Sequence, residues 1–422
     1  LDPAELEAVE GMLVSLPQDL VISEYFNFDR FGEVVVSLPP EGWDRLYTPT
    51  AVVEPGQDAI DLAADYATRR ITIDDARSAQ NPDPAIHPGN GRDFTLDNRF
   101  RGGDTIAGIA GVIDDSFGLY RLQPTTYGTY GAVNPRPEAP ETVGGNVRVA
   151  TLNLLNYFLT LDDSGALCGP DQNLECRGAD DAEELERQRA KLLDALARID
   201  GDVVGLVEME NTPGVEPAAD LVDRLNDLLG AGAYAFIDTG IIGTDAIRVG
   251  LIYKPALVRP IGDFAILDSS VDPDFLVDKN RPVLAQTFED PASGERFTVA
   301  VNHLKSKGSP CDDVGDPDLG DGQGNCNLTR TAAAEALVDW LDSDPTGSGD
   351  GRYLIIGDLN SYDKEDPIDA LLAGGYTDLV GAFGGELAYS YVFDGQFGYL
   401  DYAMASSDLV SAVTGTTVWH IN

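Results

Sequence analysis

Several apolar runs in the last two thirds of the chain end in polar or ionisable residues. The side chains concerned are Asn153, Asn156, Glu208, Glu210, His303, Lys305, Lys307, Asp358, Asn360 and Asp401. Sites built where several strands of a sheet end are a common way to bring together residues that are distant in sequence. Carboxylate, amide and imidazole groups in such a place could bind a cation or a phosphate, or move a proton.

Taken singly, each of these residues has a plainer explanation. A carboxylate after an apolar strand is more often a loop cap or an ion-pair partner than a metal ligand. A histidine beside lysines is more often a surface residue. Asp358 and Asn360, two positions apart, would also fit a turn. The order of the residues and their shared position after strands make the set more specific than any one member.

The elements that must position these residues alternate between strands and helices. Their spacing predicts strands over 147–153, 202–208, 248–253, 297–303, 352–358 and 400–405, and helices over 183–199, 221–229 and 332–341. Such an alternation indicates an α/β domain of two or more layers.

The first 133 residues have a different pattern, in which short β-like runs alternate with turn signals. The predicted strands are 12–16, 19–24, 32–38, 70–73, 105–113 and 118–123, with short helices over 3–9 and 58–67 and a polar surface stretch over 76–103. Strands at this spacing predict a small all-β barrel or sandwich. Residues 134–146 have the composition of a linker. We therefore predict domains over 1–133 and 147–422.

The charge balance of the chain is strongly acidic. The 422 residues include 72 Asp and Glu against 28 Lys and Arg, so that the formal net charge is −44. A protein held to DNA by a broad basic face is excluded. A solvated acidic surface is the simple explanation, and adaptation to salt or calcium is the alternative. No run approaches the roughly 18 uncharged apolar residues that a membrane span needs, so we do not expect membrane insertion.

Four cysteines form two local pairs, Cys168 with Cys176 and Cys311 with Cys326, each across a loop rich in Gly and Asp. Their spacing does not fit a zinc site of four cysteines. It predicts two disulfides, and hence a secreted or periplasmic protein, with free buried cysteines as the alternative. Residues 1–20 are acidic and lack an apolar signal segment. We therefore expect the chain to be a mature or trimmed form.

These motifs together resemble the endonuclease/exonuclease/phosphatase family, the group of deoxyribonuclease I, abasic-site endonucleases and sphingomyelinases. The resemblance covers most of residues 146–405, including 168–177, 186–189, 280–282 and 395–401. It is closest to secreted bacterial nucleases of the ExeM/NucH type, in which a β-domain precedes the nuclease. It implies a four-layer α/β sandwich, two sheets face to face with helices outside. The preceding domain is then expected to be OB-like.

The resemblance also implies roles for individual residues. Glu208 would be the main ligand of Mg²⁺ or Mn²⁺, with Asn153 beside it, because hard cations prefer oxygen ligands. His303 would donate to the scissile phosphate or to the leaving oxygen. Asp358 and Asn360 match a Gly-Asp-x-Asn motif, in which Asp orients or deprotonates the attacking water and Asn hydrogen-bonds a phosphate oxygen.

Two further acidic residues correspond to family positions that orient histidines. Asp401 matches the residue that orients a second, later histidine, and Asp245 would orient His303. The family pattern ends in Ser-Asp-His-x-Pro, but neither His303 nor His87 nor His420 lies in such a motif. We expect the chain to stop short of that motif, with a degenerate active site as the alternative.

Few basic residues are available to bind a phosphate backbone. Those near the motifs are Lys305, Lys307, Arg281, Arg330 and Arg187. On its predicted helix, Arg187 would equally well form an i,i+4 ion pair with Glu183. The loop between the second pair of cysteines contains Asp312, Asp313, Asp316, Asp318 and Asp321. This composition resembles that of a calcium loop, although the spacing matches no EF-hand, so structural Ca²⁺ stays an option.

The sequence thus predicts a secreted phosphodiesterase that uses Mg²⁺ or Mn²⁺ and cuts DNA, with RNA as a further candidate, leaving 5′-phosphate ends and showing little sequence preference. If the β-domain binds single strands, Tyr25, Phe26, Phe31, Tyr120 or Tyr127 could stack on bases, although core positions are the alternative. The other hypotheses are a secreted phosphomonoesterase or phospholipid phosphodiesterase with the same metal site, and an inactive calcium-dependent matrix protein. The oligomeric state is not predicted.

Overall fold

The computed structural model describes residues 3–421. Its contacts divide the chain into two units, the first consisting of Leu1–Glu138, Tyr389–Gly398 and His420–Asn422, and the second of Ala139–Ala388 and Tyr399–Trp419. Residues 132–148, which include the predicted linker, form no helix or strand. No helix in the described part of the chain is long and apolar enough to cross a membrane.

The first unit is built on six strands: β1 Leu13–Glu24, β2 Val34–Ser37, β3 Arg70–Ile73, β4 Thr105–Ser116, β5 Leu119–Thr126 and β6 Thr129–Gly131. They pair in the order β1-β2-β3-β5-β4, and β4 pairs again with β1, which closes a five-stranded barrel; β6 adds to β4. The β3–β5 pair is parallel. Ile22, Val34, Ile106 and Leu122 fill the interior and have no solvent exposure.

The predicted strands 12–16 and 19–24 are one strand, β1. Its pairing with β4 shifts register between Leu16 and Asp19. Pro17, which has no N–H to donate, lies in that irregular stretch. The unit also contains the helices α1 Pro3–Glu7, α2 Phe28–Phe31, α3 Pro49–Val52 and α4 Gln57–Ala67. The polar residues 76–103 contain no helix or strand.

The second unit contains two sheets. The strands of the first sheet lie in the first half of this unit. Its strands and a short hairpin are β7 Val149–Tyr157, β8 Leu167–Cys168, β9 Leu174–Glu175, β10 Val203–Glu210, β11 Ala235–Phe236 and β12 Ile247–Tyr253. The sheet order is β11-β12-β10-β7, while β8 and β9 pair only with each other. β7 and β10 are parallel.

The remaining strands are β13 Arg259–Leu267, β14 Arg281–Glu289, β15 Arg296–His303, β16 Tyr353–Asp358, β17 Tyr376–Asp378, β18 Tyr391–Phe393, β19 Gln396–Gly398 and β20 Asp401–Ser406. The second sheet has the order β13-β14-β15-β16-β20-β17, and its β15–β16 pair is parallel. The hairpin β18–β19 lies in the first unit, which the predicted domain 147–422 did not anticipate. Arg70 and Asp394 form an ion pair there at 2.8 Å, and Tyr47 pairs with Phe397.

Helices cover the outer face of each sheet. The helices of this unit are α5 Ala182–Ile199, α6 Pro217–Leu229, α7 Asn327–Asp342, α8 Asp366–Ala373, α9 Leu379–Gly384 and α10 Ser407–Val410. Of these, α10 packs with Leu409 and Val410 against the core between the sheets. Leu196 of α5 and Leu221 of α6 are buried together with Leu206 of the first sheet. Leu337 of α7 is buried together with Ile355 of the second sheet. The inner faces of the two sheets share a further core. The second unit is therefore a four-layer α/β/β/α sandwich.

Candidate active site

Three ionisable side chains lie side by side at one end of the second sheet. β15, β16 and β20 are paired so that His303 is opposite Asp358 and Asp358 is opposite Asp401. In each of these strands, the residue two positions away faces the core between the two sheets. Because side chains alternate along a strand, all three functional groups lie on that same face.

Glu208 comes from the first sheet and is placed by a backbone irregularity. Val204 and Leu206 face the helices, so that regular alternation would direct Glu208 to them as well. Instead, residue 208 has a φ of +64°, and its pairing with both neighbouring strands shifts register there. Its carboxylate accepts hydrogen bonds from Asn153 Nδ2 at 3.0 Å and from the Asn156 N–H at 2.9 Å. The left-handed backbone conformation costs a residue other than glycine about 1–2 kcal/mol. The pairing of β10 with its neighbouring strands must offset this cost.

The Asp358 carboxyl group is 13% exposed, and its pKa is raised well above the ordinary value. Burial is the main cause, and the negative charges of Asp401 and Glu208 add to it. The Asn360 N–H, which donates to Oδ1 at 2.9 Å, and the positive charge of Arg281 act in the opposite direction. Acidic groups from both sheets therefore repel one another at this position, and a bound cation would relieve the repulsion.

His303 is buried, and Nε2 lies 3.9 Å from Asp358 Oδ2, which is too far for a hydrogen bond. Nδ1 is buried without a hydrogen-bond partner among the described residues. Burial lowers the pKa of the imidazole well below its ordinary value, and the positive charges of Arg281 and Arg177 lower it further. The ring is therefore neutral near pH 7, with one N–H to donate.

Asp245, expected to orient His303, lies between two arginines. Its Oδ2 is 3.0 Å from Arg281 Nε, although the two atoms are not aligned for a hydrogen bond. Its Oδ1 accepts hydrogen bonds from Arg177 Nη2 at 2.5 Å and from the Ala246 N–H at 2.6 Å. Arg177, whose positive charge acts on His303, was not among the predicted site residues. The available signal was its position inside the segment 168–177 that resembles the family.

Arg281 and Lys305 are the two predicted phosphate-binding residues that lie beside these groups. Arg281 pairs in register with His303 across β14 and β15. Lys305 follows β15 directly, and its pKa is lowered by burial and then by the positive charges of Arg281, Arg330 and Lys279. Arg281 therefore lies beside the histidine, and Lys305 lies near Arg281, with its Nζ donating to Ser309 Oγ at 2.7 Å.

Arg330 is not open to a substrate. It is fully buried, and its guanidinium donates to the carbonyl oxygens of Lys305, Asn325 and Gln323 and to Ser361 Oγ. Its role in the structure is to hold loops together, which corrects the expectation that it binds substrate.

The other two basic candidates are engaged in ion pairs. Lys307 pairs with the buried Glu365, and burial lowers the pKa of the lysine to about 8. Arg187 is exposed on α5 and pairs with Glu183 and Glu184, each at 3.1 Å. The helix ion pairs that were the alternative for Arg187 are therefore present.

Both predicted disulfides, Cys168–Cys176 and Cys311–Cys326, are confirmed, and no cysteine is free. Two of the aspartates between Cys311 and Cys326 contact different parts of the chain. Asp313 pairs with Lys279, and Asp316 accepts the N–H of Thr329. Within residues 3–421, no group of three or more His, Cys, Asp or Glu side chains is arranged to hold a metal ion.

The other two histidines lie in the first unit. His87 is buried, and its Nδ1 accepts the Gly89 N–H at 3.0 Å. The ring of His420 stacks on Tyr389 with 3.8 Å between the ring centroids. In the described part of the chain, His303 is the histidine that lies with the acidic groups.

The family model for the endonuclease/exonuclease/phosphatase family matches residues 150–421, which is more than half of the chain. The chain therefore belongs to this family, as the motifs indicated. Its members are hydrolases of phosphoester bonds and typically use divalent metals. A second family model, for a domain of unknown function, matches residues 5–134. No curated protein sequence matches the chain.

Solved structures also resemble the chain. The catalytic domain of human Nocturnin with bound sulfate is 17% identical, with a TM-score of 0.43, and the match covers 65% of this chain and 88% of that one. The mannosyl-6-phosphatase of Bacteroides thetaiotaomicron is 13% identical, with a TM-score of 0.41, covering 62% and 85%. D. rerio TDP2 complexed with single strand DNA product is 16% identical, with a TM-score of 0.39, covering 62% and 84%.

Proposed function

We propose that this protein is a secreted, divalent-metal-dependent nuclease that hydrolyses DNA, with RNA as a further candidate substrate, and shows little sequence preference. The observation that carries the proposal is the meeting of Glu208, from the first sheet, with His303 and Asp358, from the second. The family supplies the reaction class, the hydrolysis of a phosphoester bond.

Glu208 and Asn153 are the residues that would hold Mg²⁺ or Mn²⁺. Mg²⁺ is usually bound through one or two carboxylates and keeps several waters, so a small set of protein ligands is sufficient. The repulsion that raises the pKa of Asp358 fits a cation, whose charge would offset that of the carboxylates. When bound, the ion would offset the negative charge that develops on the phosphate.

The remaining groups have complementary roles at the phosphate. Asp358, in its deprotonated form, would orient the attacking water and accept its proton, with Asp401 beside it. Neutral His303 would donate its N–H to a phosphate oxygen or to the leaving oxygen. Asn360 Nδ2 donates one hydrogen to the carbonyl of Leu304 at 3.0 Å, and the amide has a second hydrogen for the phosphate. Water would attack phosphorus in line, giving 5′-phosphate and 3′-hydroxyl ends.

A polynucleotide substrate is supported by the position of the basic residues. In a chain with a net charge of −44, Arg281 lies beside His303, and Lys305 lies near Arg281. The two disulfides support a secreted protein, because such bonds persist in oxidising compartments.

The barrel of the first unit supports an OB-like interpretation, because its strands close in the order β1-β2-β3-β5-β4 with β3 and β5 parallel. Among the candidate base-stacking side chains, Phe26 is 85% exposed, whereas Tyr25 and Tyr120 pack against the barrel core. Phe31 and Tyr127 are partly buried. We therefore assign the stacking role in this unit first to Phe26.

The proposal is tested by comparing substrates. Purified protein is incubated with duplex DNA, a p-nitrophenyl phosphomonoester and sphingomyelin vesicles, each with Mg²⁺, Mn²⁺ or EDTA. We expect metal-dependent cleavage of DNA, faster than that of the other two, and products that a ligase joins without prior phosphorylation. Faster turnover of the monoester or of the lipid would overturn the nuclease assignment.

A further inference from the structure

Arg177 lies between two fixed points of the chain. The residue before it, Cys176, is bonded to Cys168, and this disulfide is buried against Phe158. The residue after it, Gly178, lies so close to Phe158 that a Cβ added there would be 2.5 Å from the Cβ of the phenylalanine. Both neighbours of Arg177 are therefore tied to the same buried cluster.

Asp245 is held next to the same buried cluster by the residues that follow it. Ala246 and Ile247, which follow it, are buried there with the disulfide. The carboxylate contacts Arg177 through Oδ1 at 2.5 Å and Arg281 through Oδ2 at 3.0 Å. Two arginines thus share one carboxylate, which leaves a net positive charge in an otherwise acidic protein.

The two arginines differ in their access to solvent. The side chain of Arg281 is 10% exposed and lies beside His303, whereas that of Arg177 is 41% exposed. The positive charges of both act on His303. A guanidinium has five N–H groups, and Asp245 accepts from one nitrogen of Arg177, so further donors can reach a phosphate.

We propose that Arg177 binds a backbone phosphate of a polynucleotide, next to the phosphate that is cleaved, and that the Cys168–Cys176 disulfide holds it there. The inference rests on the proposed nuclease function and specifies its substrate as a chain of several phosphodiesters. Arg281 faces the cleaved phosphate, and Arg177 faces its neighbour. A substrate with a single phosphodiester has no second phosphate for Arg177 to bind.

The test is the variant Arg177→Gln, assayed on a DNA duplex and on the p-nitrophenyl ester of thymidine 5′-phosphate, which has one phosphodiester. For DNA, we expect kcat/KM to fall about tenfold and the slope of log KM against log salt to fall by about 1. For the single diester, kcat/KM should fall far less than for DNA, because only the effect of the Arg177 charge on His303 is lost. Arg198→Gln is the matched control, because Arg198 is also a half-exposed arginine in an ion pair, with Asp194 on α5.

Two further variants separate a phosphate contact from a structural role. Arg177→Lys should restore part of the affinity for DNA, since it keeps the positive charge. Cys168→Ser/Cys176→Ser should weaken DNA cleavage to the same extent as Arg177→Gln and should lower cleavage of the single diester far less. Equal losses on both substrates, or an unchanged salt slope for Arg177→Gln, would overturn the inference while leaving the nuclease in place. A wild-type protein that cleaves neither substrate would overturn the proposed function, and the inference with it.

Discussion

Asp358 is a buried carboxyl group whose neighbours Asp401 and Glu208 are also acidic. Because its folded-state pKa is raised, the folded protein binds this proton more tightly than the unfolded chain does. The corresponding contribution to stability is complete below the ordinary pKa of 3.8 and is lost as the pH rises through the raised value. At neutral pH without metal, the group therefore destabilises the fold.

We predict that Asp358→Asn raises the Tm in EDTA at pH 7, since the amide has no charge to bury. The same change should lower kcat about 10²–10⁴-fold, because the proposed acceptor of the proton from water is lost. Thermal melts from pH 4 to 8 and DNA cleavage assays measure the two effects. Asp339→Asn, at an exposed position on α7, is the control and should change neither. A lower Tm for Asp358→Asn would contradict this electrostatic account.

Glu208 is the other residue on which the proposed chemistry depends. We predict that Glu208→Gln raises the Mg²⁺ concentration for half-maximal cleavage at least about tenfold, because a neutral amide is a weaker ligand for a hard cation. Magnesium titrations of DNA cleavage measure this. Glu335→Gln, on the exposed face of α7, should have the wild-type requirement. An unchanged requirement for Glu208→Gln would exclude the glutamate as a metal ligand.

At the scale of elements, β15 and β16 must approach closely to bring His303 beside Asp358. Gly357 has a φ of +117°, and a Cβ there would lie 2.1 Å from the carbonyl oxygen of Asn302. We predict that Gly357→Ala lowers the free energy of unfolding by about 1–3 kcal/mol and reduces activity, because the backbone must move apart. Thermal melts and cleavage assays test this.

Gly308→Ala is the matched control for that change. Gly308 lies in the loop that follows β15, with open space around its Cβ position and no positive φ. It should keep the wild-type Tm and activity. A Gly357→Ala protein as stable and as active as this control would show that the close approach of the two strands is not required.

Strand alternation and apolar runs were enough to predict the elements that carry His303, Asp358 and Asp401. Strand alternation gave the wrong face of the sheet for the Glu208 side chain. The pattern Gly-Leu-Val-Glu gives no sign of the register shift that redirects this side chain. Strand alternation and apolar runs also missed β13 and β14. In β14, Gln286 and Thr287 are buried among apolar residues, and the hydrogen bond between Thr287 and Thr298 forms only when β14 pairs with β15.

The pairing of Asp245 with Arg177 was equally beyond the sequence. It depends on a disulfide loop that packs against the start of β12, a contact between segments about 70 residues apart. The family resemblance indicated the segment 168–177 but not the partner of its arginine. Long-range ion pairs of this kind follow from the fold and not from local pattern.

For the whole molecule, the net charge of −44 has two consequences of opposite sign. Salt screens the repulsion between acidic groups and should raise the Tm, but it also weakens the attraction between the few basic groups and DNA. We predict that the Tm and the KM for DNA both rise between about 0.05 and about 0.5 M NaCl, because charge screening becomes stronger over this range. Sucrose at matched osmolality should leave the KM unchanged. A Tm that falls with salt would contradict this explanation.

The most direct test of the central claim is nicking of supercoiled plasmid by the full-length protein with Mg²⁺ or Mn²⁺, beside EDTA and Asp358→Asn controls. We predict that nicking requires the metal ion and is severely reduced in the variant. Intact plasmid under every condition, or nicking that persists in EDTA and in Asp358→Asn, would contradict the assignment of a metal-dependent nuclease to this site.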